Sequence, residues 1–287
     1  MTAPPWLPPD ALIIASVSGG KDSAAMCLHL RDLGLDFEPV FADTGWEAPE
    51  TYAYLRGPLT EALGPITEVQ GRDGGMVGAI RRKGMFPSRQ RRWCTDELKL
   101  RPLFAHIFER AAATGRPVVN AVGVRAAESA QRAKLPGRDG YCDSRGSFDV
   151  WRPIIDWTEQ DVIDIHARHG LDPNPLYLAG ARRVGCWPCI FSRKAEVRMV
   201  ADRSPGVIDQ LRELEAELSE RRGDDRTFFA GAGPAGLGGR AGTMAIDRVV
   251  EWSRTGTGGR QMLLIDDTDP DEGCVRWGVC ERDRGGE

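Results

Sequence analysis

The sequence lacks the features that mark membrane proteins, secreted proteins and strongly basic nucleic-acid-binding proteins. No apolar run in its 287 residues approaches the length of a membrane span. The first ten residues hold four prolines instead of a basic stretch followed by an apolar segment. The formal net charge is −4, so no overall positive charge attracts a polyanion. These absences predict a cytoplasmic protein that enters no membrane.

Cysteine is the informative part of an otherwise ordinary composition. Hydrophobic residues make up 41% of the chain and charged residues 28%, as in globular proteins long enough to bury a substantial core. Seven cysteines occur without a recognisable secretion signal. In that context cysteines indicate metal or redox chemistry more often than a disulfide framework.

A glycine turn between a predicted strand and a predicted helix is the most specific motif. The segment Ser18-Gly19-Gly20-Lys21-Asp22-Ser23 follows an apolar run and precedes a helical pattern. Two glycines let the backbone approach a phosphate group, while hydroxyls, Lys21 and the amides of the helix start supply donors and positive potential. The turn is shorter than the phosphate loop of kinases and GTPases. We expect all six residues to bind a nucleotide phosphate.

Strand-like and helix-like stretches alternate through the first 150 residues. The predicted strands are 11–17, 37–42, 66–69 and 117–124, and the predicted helices are 22–33, 49–63 and 96–113. This alternation predicts an α/β fold, a parallel twisted sheet with helices on both faces. Ligands of such sheets bind at the carboxyl ends of the strands. We assign residues 1–150 to a nucleotide-binding domain.

Beyond residue 150 the pattern becomes mainly helical or irregular. Helices are predicted at 158–169, with Thr158 as N-cap and Asp161 three residues later, and at 205–221. Within the glycine-rich stretch 231–242, residues 231–236 spell Gly-x-Gly-x-x-Gly but lack the flanking strand and helix of a dinucleotide fingerprint. We expect a helical, cysteine-containing region at 151–230 and a glycine-rich segment with a C-terminal tail at 231–287.

Asp43-Thr44-Gly45 follows the second predicted strand and should converge with the glycine loop. Asp43 could hydrogen-bond a ribose or help to hold Mg²⁺, and Gly45 permits a tight exit from the strand. The alternative is that Asp43 only caps the next helix.

The segment that begins at Gly123 follows the fourth predicted strand. Arg125 and Arg132 offer forked donors that suit phosphate or sulfate oxygens, and Glu128 is expected to orient one of them. An ordinary surface ion-pair network is the competing interpretation.

Positive charge is concentrated in one stretch with interleaved Phe86, Pro87 and Trp93. Its basic residues are Arg81, Arg82, Lys83, Arg89, Arg91 and Arg92. They could face a polyanion such as DNA, RNA or the second phosphate of a nucleotide, or they could form a solvated loop. The sequence favours neither.

Cys186 and Cys189 form the strongest metal signal. A Cys-x-x-Cys turn brings two thiolates to one centre, and zinc or an iron–sulfur cluster requires further ligands, for which Cys274 or Cys280 is a candidate. A redox-active dithiol is a third possibility. Cys27 is predicted to pack in the core, and Cys142 is placed in a polar loop without a role.

Several of these segments together resemble the adenine-nucleotide alpha-hydrolase superfamily, which includes ATP pyrophosphatases and the phosphoadenosine phosphosulfate (PAPS) reductases. The matching segments are 18–23, 43–45 with Pro49-Glu50-Thr51-Tyr52, 123–129, 151–162 and Asn174-Pro175-Leu176-Tyr177. The resemblance covers about residues 13–193 and does not reach the tail. It implies binding of an adenine nucleotide and, for most members, cleavage of ATP between the α and β phosphates.

The resemblance also implies a role for Cys94. Its segment is similar to the one that supplies cluster ligands in adenylyl-sulfate reductases and in DNA-phosphorothioation ATPases. Those reductases usually carry two adjacent cysteines here, whereas residue 93 is Trp. We expect a 4Fe-4S cluster on Cys94, Cys186, Cys189 and Cys280, with zinc as the alternative metal.

Two departures from the reductases favour ATP as the substrate. The C-terminal Glu-Cys-Gly-Leu-His segment that carries their nucleophile is missing, and Lys21, which they tend to lose, is present. The leading hypothesis is an ATP pyrophosphatase that adenylates an acceptor for sulfur transfer to DNA or RNA. Lys21, Asp22, Asp43 and Arg125 are its predicted catalytic residues.

The leading hypothesis also names partners. Mg²⁺ would accompany ATP, a cysteine desulfurase could donate the sulfur, and a homo-oligomer is expected. The alternatives are a sulfonucleotide reductase that uses Cys280 or Cys274, and a non-catalytic iron–sulfur sensor or scaffold.

Overall fold

The computed structural model describes residues 2–229 and 244–256 and contains one six-stranded sheet. The strands are β1 (Leu12–Val17), β2 (Glu38–Asp43), β3 (Thr67–Gln70), β4 (Val118–Val122), β5 (Arg138–Asp143) and β6 (Gly146–Trp151). Their order is β3-β2-β1-β4-β6-β5, and every neighbouring pair is parallel except β5 with β6. The sheet thus confirms the expected α/β fold and adds an antiparallel edge strand.

The described helices connect the strands and then form a C-terminal group. They are α1 (Lys21–Asp32), α2 (Pro49–Tyr54), α3 (Thr60–Leu63), α4 (Met76–Lys83), α5 (Trp93–Thr95), α6 (Arg101–Thr114), α7 (Glu159–His169), α8 (Pro175–Leu178), α9 (Lys194–Arg203), α10 (Pro205–Arg222) and α11 (Ile246–Ser253). Short π-helical turns at Leu55–Leu59 and Asp96–Leu100 join α2 to α3 and α5 to α6. No helix in the described ranges is both long and apolar enough to cross a bilayer.

Side chains of β1 alternate between two apolar layers, one on each face of the sheet. Ile13 and Ala15 pack in the layer that includes α1, while Leu12 and Ile14 pack in the layer that includes α6. This period-two pattern buries both faces of a central parallel strand. Helices therefore cover both faces, as expected from the alternation of elements.

A third apolar cluster holds the C-terminal helices against the loop after β2. Buried residues of α9, α10 and α11 pack with Trp46 from that loop and with Trp187 from the Cys-x-x-Cys turn. Cys94, Cys186 and Cys189 are half-buried at this cluster. The cysteines thus lie where the helical part meets the sheet.

Several elements differ from the sequence-based expectation. Cys142 lies in β5, so its placement in a loop was wrong. Strand β5 is polar and more exposed than the central strands, which hides its strand character in the sequence. Cys27 is fully buried in the core, as predicted. Thr158 caps α7 and exchanges hydrogen bonds with Asp161, which confirms the predicted helix start.

Candidate functional site

The glycine loop lies at the point where strand order reverses around β1. It joins β1 to α1, and β1 pairs with β2 on one side and β4 on the other. Gly19 has φ +71°, and a Cβ there would lie 2.8 Å from Cγ2 of Thr51. Helix α1 has Gly20 at its N-cap without a side-chain cap, and the positive end of its dipole lies at the glycine loop.

Lys21 is buried beside the loop among charged and aromatic groups. Its ammonium nitrogen lies 3.7 Å from Asp22, 3.4 Å from Glu159 and 4.8 Å from the centre of the Tyr177 ring. Arg125 approaches the other oxygen of Asp22, with its Nε 2.5 Å away. Two cations and two carboxylates therefore surround the start of α1. The sequence analysis missed Glu159 because this residue of α7 contacts Lys21 of α1, which is far away in the sequence.

The segment at the start of α8 contacts the backbone of the glycine loop. The Asn174 side-chain amide donates to the carbonyl of Gly19 at 3.1 Å and to Thr51 Oγ1 at 3.2 Å. The amide of Lys21 donates to the Tyr177 hydroxyl at 3.2 Å. The Asn-Pro-Leu-Tyr turn thus fixes the glycine loop, a role that the sequence did not reveal.

Asp43 shapes the loop after β2 and does not cap a helix. Its Oδ1 accepts hydrogen bonds from the Gly45 amide at 2.8 Å and from the Tyr52 hydroxyl at 2.6 Å. The N-cap of α2 is Ala48, so the helix-capping interpretation of Asp43 is wrong. Burial, followed by the bond to Asp43, holds the pKa of Tyr52 above its usual range, so this phenol stays protonated.

Glu47 is a buried carboxylate in the same loop that the sequence analysis did not identify. It accepts hydrogen bonds from the Thr44 hydroxyl at 2.7 Å, the Thr44 amide at 3.3 Å and the Trp46 amide at 3.2 Å. The Tyr52 hydroxyl lies 3.2 Å from Glu47 Oε2. These bonds satisfy the carboxylate and define the path of the Asp43-Thr44-Gly45 segment.

The end of β4 approaches α1 closely at Gly123. A Cβ on Gly123 would lie 2.6 Å from the carbonyl oxygen of Asp22, so a glycine is needed there. Glu128 accepts a hydrogen bond from the Arg125 amide at 3.0 Å and forms an ion pair with Arg132. Arg125 is only 4% exposed, whereas Arg132 is half-exposed. The structure therefore brings Arg125 to the glycine loop and holds Arg132 through Glu128.

Three of the predicted metal ligands lie in the described ranges and influence one another. Burial raises the pKa of the Cys94 thiol, and the neighbouring Cys189 raises it further. Burial also raises the pKa of Cys186, although Lys99 beside it acts in the opposite direction. Within residues 2–229 and 244–256, no set of three or more His, Cys, Asp or Glu side chains has a metal-binding arrangement. Cys274 and Cys280 lie outside the described residues.

The loop after β2 is hydrogen-bonded directly to the Cys-x-x-Cys turn. The Trp46 indole donates to the carbonyl of Pro188 at 3.0 Å, and the Trp187 amide donates to the carbonyl of Trp46 at 2.7 Å. Glu47 and Cys186 form an antiparallel bridge. The loop that carries Asp43 and the turn that carries two cysteines therefore form one continuous structure.

The basic stretch divides into two parts. Arg81 pairs with Glu217 at 2.9 Å, Arg82 pairs with Asp73 at 2.7 Å, and Lys83 pairs with Glu97, so these charges are partly neutralised within the fold. The second part lies beside the Cys-x-x-Cys turn, where guanidinium groups stand over the Phe191 ring. Arg92 lies 5.0 Å and Arg89 5.8 Å from the ring centre. Arg81 and Arg82 are exposed although they are paired with carboxylates, and the second part adds the exposed arginines 89, 91 and 92.

The fold and the site define an α/β protein with a glycine loop at the strand-order reversal, the place where open α/β sheets bind their ligands. Residues 12–192 match the model of the phosphoadenosine phosphosulfate reductase domain. The chain belongs to this family, which confirms the resemblance inferred from its motifs. The matched range includes the glycine loop, the Asp43 loop, the Gly123 segment and the Cys-x-x-Cys turn.

Relatives of the chain include phage, archaeal and bacterial proteins. It is 31% identical to an uncharacterised 37.8 kDa protein of Escherichia phage 186, over 93% of this chain and 96% of that protein. It is 29% identical to the adenosine 5'-phosphosulfate reductase of Mesorhizobium japonicum, over 61% of this chain and 65% of the reductase. It is 31% identical to the phosphoadenosine 5'-phosphosulfate reductase of Yersinia enterocolitica, over 62% of this chain and 69% of the reductase. The chain spans 42% and 46% of two longer Methanocaldococcus jannaschii relatives.

Proposed function

We propose that this chain binds ATP with Mg²⁺, cleaves it between the α and β phosphates and adenylates an acceptor for sulfur transfer to nucleic acid. The observation that carries the proposal is the buried ammonium group of Lys21 at the glycine loop, 3.7 Å from Asp22 and 3.4 Å from Glu159. A lysine and the N-terminal end of a helix at one loop suit the β and γ phosphates of a nucleoside triphosphate.

The reaction would begin with an acceptor oxygen. That oxygen would form a bond to the α-phosphorus while the bond from this phosphorus to the α,β-bridging oxygen breaks, and pyrophosphate would leave. Lys21 and the loop amides would stabilise the negative charge on the departing phosphates, and Arg125 would lie beside them, held by Asp22. A sulfur nucleophile from a donor such as a cysteine desulfurase would then displace AMP from the acceptor. Asp43 would bind the ribose or help to hold Mg²⁺.

Cysteine ligation of a 4Fe-4S cluster, with zinc as the alternative, is part of the same proposal. Soft thiolate ligands suit either metal centre, and Cys94, Cys186 and Cys189 lie in one apolar cluster of the fold. Cys280 would complete the set. Such a centre would link the helical region 151–230 to the nucleotide-binding domain 1–150, while the segment 231–287 would supply the last ligand.

The acceptor would contact the second part of the basic stretch, which contains Arg89, Arg91 and Arg92. The guanidinium groups of Arg89 and Arg92 stand over the ring of Phe191, which follows the Cys-x-x-Cys turn by two residues. Arginine forks suit phosphate oxygens, and an aromatic ring can stack on a base. These features support a DNA or RNA acceptor.

The test is formation of AMP and pyrophosphate from Mg-ATP by protein purified without oxygen, with and without DNA or RNA. Lys21→Met removes the ammonium group, and Lys194→Met removes a lysine on α9 as the matched control. We expect both products from the wild type and the control, and neither from Lys21→Met. Thermal melting of each variant separates loss of chemistry from loss of folding. Binding of ATP without products, even with nucleic acid and a sulfur donor present, would contradict the proposal.

Sulfonucleotide reduction is the second candidate, because two relatives of the chain are named as adenosine 5'-phosphosulfate and phosphoadenosine 5'-phosphosulfate reductases. It would need a cysteine nucleophile outside the described residues, Cys274 or Cys280, and an external thiol. Release of sulfite from either sulfonucleotide, lost in Cys280→Ser or Cys274→Ser with metal content retained, would favour this candidate over adenylation.

A further inference from the structure

His166 places a buried imidazole between two backbone carbonyl oxygens. It lies in the last turn of α7 and is 1% exposed. Its Nε2 is 3.0 Å from the carbonyl oxygen of Lys21, and its Nδ1 is 3.0 Å from the carbonyl oxygen of Leu171. Both oxygens can only accept. A neutral imidazole has one N–H and donates to one of them, whereas an imidazolium donates to both.

The surroundings of this ring have opposite effects on its pKa. Burial lowers the pKa of His166 most strongly, and the charge of Lys21 on α1 lowers it further. The two carbonyl contacts and the carboxylate of Asp22 on α1 raise it, and the C-terminal end of α7 also favours a cation. The net pKa lies below the usual value, which favours the neutral ring in the protein without a ligand. A neutral ring can donate a hydrogen bond to only one of the two carbonyl oxygens, those of Lys21 and Leu171.

We propose that His166 takes up a proton when an anionic phosphate group binds the glycine loop, and that the imidazolium then fixes the Lys21 backbone. The inference rests on the proposed function, because that function places phosphates on this loop. An added negative charge near a histidine favours its charged form. The ring contacts the same residue whose ammonium group would bind the phosphates. His166 is therefore a positioning residue that acts through Lys21.

The sign of the pH dependence follows from this linkage. If binding raises the pKa of His166, the bound state holds more protons than the ligand-free state at intermediate pH. Affinity is then highest below the ligand-free pKa and falls as pH rises through the pKa of the bound state. A difference of one unit between the two pKa values makes affinity fall by about tenfold across this window.

Calorimetry can measure the proton uptake directly. The probe is α,β-methylene-ATP with Mg²⁺, titrated at pH 7 in two buffers with different ionisation enthalpies. We compare the wild type with His166→Gln, whose side-chain amide can still donate to the Lys21 carbonyl but does not titrate. His169→Gln is the matched control, because His169 lies on the same helix and pairs with Asp32 at 2.9 Å. Protons exchanged by the probe itself are common to all three proteins.

We expect the binding enthalpy to depend on the buffer more strongly in the wild type and His169→Gln than in His166→Gln. The pH dependence of affinity should be correspondingly shallower in His166→Gln. A purely structural role for His166 would weaken binding at every pH and leave the buffer dependence unchanged.

Nitrogen NMR of the histidine rings keeps the proposal testable if His166→Gln fails to fold. The sequence contains four histidines, so substitutions of the others can identify the His166 signal. We expect one protonated ring nitrogen without the probe and two with it. A ring that stays neutral in both states, or equal proton uptake in all three proteins, would overturn this inference alone. Failure of the wild type to bind the probe would overturn both this inference and the proposed function.

Discussion

Replacement of Gly123 by alanine should destabilise the protein and weaken nucleotide binding together. The new Cβ would lie 2.6 Å from the carbonyl oxygen of Asp22, 2.7 Å from the Cα of Ser23 and 2.8 Å from the carbonyl carbon of Asp22. All three are backbone atoms of the first turn of α1, so no side-chain rotation can relieve the clash. The end of β4 and the start of α1 would have to separate, and the glycine loop lies at that junction.

The cost can be estimated from the effect of overpacking a close-packed interior. Adding a carbon where the backbone must shift costs about 1–3 kcal/mol. For a chain of this size each 1 kcal/mol lowers Tm by roughly 2–4 °C, so we expect a decrease of roughly 2–12 °C. Gly123 has no positive φ, so the cost comes from steric contact and not from backbone conformation.

The assay combines thermal melting with binding of α,β-methylene-ATP. Gly137→Ala is the matched control, because a Cβ there would lie 3.7 Å from Cγ2 of Ile155, an ordinary contact. The control should melt and bind like the wild type. If Gly123→Ala also behaves like the wild type in both measurements, β4 and α1 are not in the close contact described here, and the reasoning is refuted.

Three other changes test separate parts of the structure. Glu47→Gln should lower stability by about 1–3 kcal/mol in urea unfolding, because a buried carboxylate with several donors loses its charge, whereas exposed Glu61→Gln should have little effect. Burial raises the pKa of Glu215, so the wild type should lose stability relative to Glu215→Gln as pH rises from the ordinary glutamate pKa through the raised value. Equal pH profiles of stability in the two proteins would contradict this. Cys186→Ser should reduce the iron or zinc content of anaerobically purified protein, measured by elemental analysis, and exposed Cys142→Ser should not.

The central sheet and the glycine loop could be predicted from the sequence because their signals are local. Strand β1 is an uninterrupted apolar run followed at once by the glycine turn and the pattern of α1, so one short window contains the whole unit. The β5–β6 hairpin was missed because β5 is an edge strand of the sheet and carries mostly polar residues. Edge strands need less apolar surface than central strands, which weakens the period-two signal.

The supporting residues of the site could not be predicted because their partners are distant in sequence. Asn174 contacts the carbonyl of Gly19 across 155 positions, and His166 contacts the carbonyl of Lys21 across 145. Neither contact leaves a pattern within its own segment. Glu47 is different, since its partners lie close by in sequence. No spacing pattern in a sequence distinguishes a buried acidic residue in a turn from an exposed one. The role of Glu47 is therefore visible only from its surroundings in the structure.

The charges at the glycine loop bear on the choice between the two candidate substrates. Lys21 and Arg125 are positive, while Asp22 and Glu159 are negative, so these four contacting side chains sum to zero. A polyphosphate that binds here therefore gains little from net charge and benefits from a cation of its own. ATP is normally accompanied by Mg²⁺, which supplies that charge together with oxygen-directed coordination. The balance of charge thus supports Mg-ATP as the ligand of this loop.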